Sequence, residues 1–348
     1  MHPLEQQVCK WMSGPELRSV FTGQTIIIGC STGPDSMALL HILHGVAEKL
    51  SLSLIPTYID HGLRPTEVVQ ERELLIQVAA RLGRTYEIRK VDVTGVVEQE
   101  KKSIEHAARE LRYRALSEVK KHYGASLIAV GHNADDQAEE VLLRLLRGSS
   151  RKALSGMQRL GNGIVRPLLN FSKQQIYSYL DDRHITYCYD SSNADPNFLR
   201  NRVRHDLLPY LEEHYDAGIR NALLKTASNL QQDEAYLAQQ VDDLEEKVVV
   251  KRTGAAEGES ELILDRIQLK QYHQALQRRC IEKMLWKMGS PARYEHILAI
   301  LHALNEPKSG QELHLTRGLR VNFSRQWIVF SYPRGRTVWR GSLARKKE

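Results

Sequence analysis

Ser31, Gly33, Asp35 and Ser36 follow directly on the apolar run Ile26-Ile27-Ile28, and Met37, Leu39, Leu40 and Leu43 continue after them at helical spacing. That order predicts a buried strand, a tight turn through Gly33 and Pro34, and a helix over about 36–49 capped by Asp35 or Ser36. The start of such a helix presents unpaired N–H groups and the positive end of its dipole, so it suits an anion. The hydroxyls of Ser31 and Ser36 add donors for a phosphate, and the Asp35 carboxylate suits a magnesium ion. The loop has neither Gly-Lys-Ser/Thr nor Gly-x-Gly-x-x-Gly, which excludes the two commonest phosphate loops. An ordinary strand-to-helix turn draws on the same residue types, and on this stretch alone the two readings stand level.

Three further clusters have chemical potential. Asp60-His61 closes an apolar run over 52–59, where a ligand or a solvated turn is equally served. A helix predicted from Ser103 to about Tyr123 carries Glu105, Arg109 and Arg112 on one side; an intrahelical salt bridge between Glu105 and Arg109 accounts for that pair without any function. The run from Gly131 to Glu140 holds His132, Asn133, Asp136 and Glu139 just after another short apolar strand. Asp136 and Glu139, three residues apart, can grip an ammonium group together, although acids in a first helical turn also simply complement the dipole.

The elements that must position these residues alternate strand and helix four times between about 26 and 147, which predicts βαβ units and a mostly parallel sheet covered on both faces. In such a sheet chemistry gathers at the strand C-terminal ends, where all of these clusters fall. An N-terminal helix is expected over 2–22, a polar connection before Ser103, and a helix from Val141 to Arg147. From Arg144 the chain turns basic, through Arg147 and Arg151, in a glycine- and serine-containing loop suited to phosphate contacts. Arg200, Arg202 and Arg204 alternate, so they cannot all share one helix face and at least one reaches beyond its own helix. A long helical strut is expected over 216–250, a linker over 251–260, then a small α+β unit with helices near 268–288 and 292–304, strands near 311–315 and 318–332, and a basic end. The domains are therefore drawn at 1–215, 216–250 and 251–348.

The chain has 348 residues, 42% of them hydrophobic and 26% charged, enough for a sizeable core. No apolar run is long enough to span a bilayer, and Glu5 and Lys10 interrupt what would be a signal-peptide core, so a cytoplasmic protein without a membrane partner is expected. Four cysteines lie far apart with no Cys-x-x-Cys, which argues against a sulfur-held metal. A net charge of +7 is compatible with a polyanionic partner such as RNA. The oligomeric state is open, with a homodimer among the arrangements allowed.

The loop Ser31-x-Gly33-x-Asp35-Ser36 resembles the pyrophosphate loop of ATP pyrophosphatases, the PP-loop proteins. Together with Asp60-His61-Gly62-Leu63-Arg64, Ser103-x-Glu105-x-x-Ala108-Arg109-x-x-Arg112-Tyr113, the Gly131–Glu139 run, Arg166-Pro167-Leu168-Leu169 and the block from Asp190 to Arg204, it resembles the tRNA(Ile)-lysidine synthetase family over about residues 24–215. The resemblance implies an α/β fold: a parallel-sheet adenine-nucleotide-binding PP-loop domain, a helical strut and a smaller α+β domain that contacts tRNA. It implies a ligase that uses ATP to adenylate the wobble cytidine of a tRNA(Ile) with a CAU anticodon, then joins free L-lysine to it. By the same resemblance Ser31, Thr32, Gly33, Pro34, Asp35, Ser36, Asp60 and His61 bind ATP and its pyrophosphate, with Mg²⁺ on Asp35. The resemblance further implies catalytic roles for Asp35, Arg112 and His132, lysine binding by Asp136 and Glu139, and tRNA binding by Arg144, Arg147, Arg151, Arg200, Arg202 and Arg204. Thr32 departs from the pattern, standing where the family loop usually has glycine; a positive φ there is costly for a β-branched residue. Other PP-loop enzymes (a tRNA thiolase, an amide ligase) and an ATP-binding regulatory module are the alternatives.

Overall fold

The computed structural model describes residues 1–62, 65–101, 103–189, 199–253, 261–306 and 310–333. The expected linker residues 254–260, the basic end from 334, Leu63-Arg64 and the 190–198 part of the arginine block lie outside the described residues. Two compact units, Met1–Gln231 and Gln232–Glu348, divide the chain, and the division falls inside one long helix.

The first unit opens with α1 (Pro3–Met12) and a short α2 (Arg18–Phe21) rather than one helix over 2–22. Gly14 and Pro15 lie at the break, and proline cannot continue the hydrogen-bond ladder. Then come β1 (Thr25–Gly29), α3 (Pro34–Leu50), β2 (Ser53–Asp60), α4 (Pro65–Arg81) and β3 (Glu87–Lys90). The expected polar connection is a helix, α5 (Val93–Glu100), because Asp92 caps it by accepting from the Gly95 N–H at 2.9 Å. It is followed by α6 (Ile104–His122), β4 (Leu127–Ala129) and α7 (Ala134–Leu146). α7 starts seven residues earlier than expected, because Asn133 and Asp136 form a reciprocal capping box. The basic loop contains α8 (Arg151–Leu154) and a small hairpin of β5 (Leu160–Gly161) and β6 (Ile164–Val165). α9 (Lys173–Asp182), α10 (Leu199–Arg202), a π-helical turn (Val203–Leu207), α11 (Leu208–His214) and α12 (Ile219–Val248) complete the series.

The sheet runs β3-β2-β1-β4-β6-β5, parallel except for the β5 edge. Alternation along β1 supplies both covering layers: Ile26 and Ile28 join the core formed with α1, α3 and α9, while Ile27 joins Leu116 and Val119 of α6. A parallel sheet buried on both faces sends its polar residues to the strand ends, which places the site.

In the second unit β7 (Val249–Thr253) pairs antiparallel with β8 (Glu261–Asp265), so Lys251, expected to open a linker, lies in a strand. α13 (Arg266–Lys270) and α14 (Gln274–Lys287) replace a single helix, and α15 (Tyr294–Asn305) follows. The chain then forms β9 (Gln311–His314), β10 (Arg320–Phe323) and β11 (Trp327–Ser331), giving an antiparallel sheet ordered β7-β8-β11-β10-β9. The expected second strand over 318–332 is thus a hairpin, closed where Ser324 binds the Trp327 backbone.

Candidate active site

The loop between β1 and α3 is held from both sides. Cys30 N–H donates to Thr57 O at 2.9 Å, and Cys188 N–H donates to Thr32 O at 2.9 Å. Thr32 is fully buried with φ 59°, a left-handed conformation that glycine adopts freely and a β-branched residue rarely does. Its hydroxyl donates to Ser31 O at 2.6 Å, which engages the polar group that burial would otherwise strand. α3 begins at Pro34, two residues before the expected start, with Gly33 as its N-cap. Neither Asp35 nor Ser36 caps it: among the described residues no side chain caps the first turn, and Ser36 Oγ instead donates to Gly33 O at 3.0 Å. The first-turn N–H groups therefore remain for a ligand.

Gly131 lets the end of β4 approach this loop. A Cβ at that position would lie 3.0 Å from the Asp35 carbonyl carbon and oxygen and 3.2 Å from Ser36 N. Two residues on, Asn133 Nδ2 donates to Asp35 Oδ1 at 2.9 Å while its own Oδ1 caps α7. Burial, then repulsion from Asp136, pushes the Asp35 carboxyl up to about 6. Asp35 is thus a desolvated carboxylate that a cation would stabilise.

His132 is part-buried, and its surroundings favour the neutral imidazole. Desolvation first, then the nearby Arg166, Arg112, Arg200 and Arg109, lower its pKa well below the ordinary histidine value. Arg166 Nε donates to His132 Nδ1 at 3.2 Å, which makes Nδ1 the acceptor and places the ring proton on Nε2. Arg112, from α6, is part-buried, and its buried Nε has no hydrogen-bond partner among the described residues.

Asp136 and Glu139 do come together, but two arginines already fill them. Arg200 donates from Nε to Glu139 Oε2 and from Nη2 to Asp136 Oδ1, both at 3.0 Å. Arg204 donates from Nη2 to Asp136 Oδ1 at 2.9 Å and from Nε to Glu139 Oε1 at 2.5 Å. Four residues apart, the two arginines share one face across the π-helical turn, and Val203 and Leu208 pack with Leu142 and Leu143 of α7 to seat that face. Arg202, between them, is exposed, as are Arg147 and Arg151. Arg144 is committed to its own loop, donating to Glu140 Oε1 at 2.6 Å and to Gly156 O at 3.1 Å. Asp60 Oδ1 accepts from Gly62 N–H at 2.8 Å.

A cavity of about 660 Å³ opens over these groups. Ser31, Gly33, Pro34, Asp35, Ser36, His61, Arg112, His132, Asp136, Arg200 and Arg204 line it; Asp60, Thr32, Glu139, Arg144, Arg147, Arg151 and Arg202 do not. Glu105 and Arg109 also line it, and no ion pair between them is found among the described residues. Arg109 lies over the Tyr113 ring, 5.2 Å from its centroid. Sequence reasoning missed Asn133 as the partner of Asp35, Arg166 as the partner of His132, and Lys173, Tyr177 and Tyr189 in the wall. Only Asn133 had a local signal, as a helix N-cap.

A phosphate-suited loop at the C-terminal end of a central parallel strand, beside a cationic cavity, defines a nucleotide-binding α/β protein of the PP-loop class, and the PP-loop domain family matches residues 3–211. The tRNA(Ile)-lysidine synthase of Geobacter sulfurreducens is 36% identical over 316 residues, covering 89% of this chain and 65% of that protein. That of Solibacter usitatus is 32% identical over 317 residues, covering 90% and 68%. Among solved structures, a U34-tRNA thiolase of Methanococcus maripaludis shares the fold, with a TM-score of 0.52 at 15% identity over 66% of this chain and 78% of that one. The chain belongs to the PP-loop family, in its tRNA(Ile)-lysidine synthase group. It spans about half to two thirds of the length of the curated relatives it matches.

Proposed function

We propose that this chain is a cytoplasmic ligase that makes lysidine at the wobble cytidine of a tRNA(Ile) with a CAU anticodon. The observation that carries the reading is the convergence, in one cavity, of the open helix start after Gly33, neutral His132 and the Asp136 carboxylate. In the first step the cytidine O2 attacks the α-phosphorus of ATP, the bond to the β-bridging oxygen breaks, and pyrophosphate leaves. Ser31, Gly33 and Ser36 cradle that leaving group with backbone and hydroxyl donors. Asp35 fits a magnesium ion, because its desolvated carboxylate takes one side-chain hydrogen bond, from Asn133; when bound, the ion offsets the pyrophosphate's charge. Arg112 and the Nε2–H of His132 steady the adenylate. In the second step the neutral lysine ε-amine attacks C2, the C2–O2 bond breaks, AMP leaves carrying that oxygen, and the proton lost from nitrogen passes to solvent.

Asp136, which lines the cavity, holds the lysine substrate's ammonium, and Glu139, buried behind it, joins when the arginines yield. Because Arg200 and Arg204 already neutralise both acids, the ammonium takes its place by displacing guanidinium hydrogen bonds, an exchange of like charges that costs less than burying a new one. The arginines so released face the phosphates in the same cavity. The thiolase alternative is not favoured: the relatives that match most of this chain at 32–36% identity are named tRNA(Ile)-lysidine synthases, whereas the thiolase shares the fold at 15% identity. ATP–pyrophosphate exchange that depends on the CAU-anticodon tRNA, and not on lysine, tests the adenylation step; exchange without tRNA contradicts it.

A further inference from the structure

Tyr177, Tyr187 and Tyr189 make a run of rings beside the loop. The Tyr177 and Tyr187 centroids are 6.1 Å apart, and those of Tyr187 and Tyr189 are 5.3 Å apart at 66°. Tyr187 and Tyr189 lie either side of Cys188, whose N–H is bonded to Thr32 O, so the phosphate loop itself sets their position. Their hydroxyls meet at 3.2 Å. Tyr177 and Tyr187 pack on the hydrophobic core, whereas Tyr189 is 75% exposed while also lining the cavity. Lys173, one helical turn before Tyr177, stands 5.9 Å from its ring and lines the same wall. A row of aromatic rings with a cation beside it, leading from solvent to a phosphate loop, is the arrangement that receives unstacked bases and their backbone.

Resting on the function proposed above, we propose that this tyrosine ladder is the stacking platform for an unstacked nucleobase of the RNA substrate as it enters the cavity. An RNA base, rather than the adenine of ATP, is the occupant for a geometric reason. The base to be adenylated must touch the α-phosphorus, whereas the adenine is held away from its own phosphates by the ribose. The ladder adjoins the phosphate end of the site: Tyr177 and Tyr189 line the same cavity as Ser31, Gly33 and Asp35, and the Cys188–Thr32 hydrogen bond ties the ladder to the loop. Duplex or stacked loop bases cannot reach such a site without being drawn out, and an aromatic surface offsets the stacking they lose.

The test compares the intact chain with Tyr189→Ala, Tyr189→Phe and Tyr189→Trp. Three readouts are taken: KM and kcat for tRNA in lysine incorporation, ATP affinity by equilibrium dialysis, and quenching of 2-aminopurine placed in the anticodon loop of a short stem-loop RNA. The expected result is a rise of about tenfold or more in KM for tRNA with Tyr189→Ala and loss of the quenching, ATP affinity unchanged, and retention of both signals in the Phe and Trp variants. A KM and quenching indifferent to Tyr189→Ala overturn the proposal, as does a parallel fall in ATP affinity, which assigns the ladder to adenine. If the wild-type chain quenches the probe through Tyr189 but incorporates no lysine, the stacking platform stands and the ligase reading falls.

Discussion

Arg166 Nε and His132 Nδ1 are joined by a 3.2 Å hydrogen bond that fixes both the tautomer and the charge of the imidazole. An arginine cannot accept, so the ring must, and its remaining proton points away on Nε2. Desolvation and the surrounding arginines lower the pKa of His132, which favours the neutral form with its proton on Nε2.

That relationship gives a pH dependence. The folded pKa of His132 is lowered, so the unfolded chain binds a proton that the folded chain does not. The penalty is absent above the unfolded value near ~6.5 and grows as pH falls below it, by at most about 1.4 kcal/mol per pH unit. Thermal unfolding of wild type and His132→Gln between pH 7 and pH 5 checks this. The wild type is expected to lose more stability on acidification; parallel curves contradict a neutral His132.

Thr32 bears a second test. The left-handed backbone costs a non-glycine residue roughly 1–2 kcal/mol, and the Ser31 hydrogen bond and buried packing of the side chain offset it. Thr32→Gly removes strain and side chain together and is expected to change stability by no more than about 1 kcal/mol. Thr32→Val keeps the strain and loses the hydroxyl's hydrogen bond, and is expected to cost about 1–2 kcal/mol. Chemical denaturation separates them, and a Val variant as stable as the Gly variant contradicts the account.

Gly131 permits a close backbone approach to Asp35 and Ser36. Gly131→Ala puts a methyl group against backbone atoms that cannot turn aside, so the loop must shift. ATP affinity is expected to fall about tenfold or more, with the overall fold kept by circular dichroism. Unchanged affinity would show that the loop is not the nucleotide's seat.

The acid pair supplies a division between the two steps. Glu139→Gln is expected to raise the lysine KM about tenfold while leaving tRNA-dependent pyrophosphate exchange within about threefold. Arg204→Ala removes one competitor for the acids and is expected to lower the lysine KM. Equal loss of both steps in Glu139→Gln contradicts the assignment.

What the sequence made legible was local. The Ile26–Ile28 run, the turn at Gly33-Pro34 and the helical spacing after it are written within fifteen residues, and β1, the loop and α3 follow from them. So does the clustering of polar residues at strand ends, which a sheet covered on both faces enforces. Helix starts were misplaced where caps decide them: Asn133 and Asp136 extend α7 upstream through a reciprocal bond that hydrophobic periodicity does not register. The clamp of Arg200 and Arg204 on residues more than sixty positions earlier was hidden for a different reason. Spacing showed that one arginine of three must reach elsewhere, but the partner is set by how the π-helical turn seats on α7, a long-range packing event. The tyrosine run was likewise invisible, since Tyr177 meets Tyr187, the neighbour of Tyr189, only after α9 and the following segment have folded against the loop.

The central claim is ligation of lysine to RNA through an adenylated base. Its most direct measurement is incorporation of radiolabelled lysine into unmodified tRNA(Ile) transcript, with ATP and Mg²⁺, beside a no-ATP control and a methionine tRNA with the same anticodon. The account predicts ATP-dependent incorporation confined to the isoleucine tRNA and abolished by Asp35→Ala. No incorporation by a chain that binds both ATP and this tRNA would contradict it.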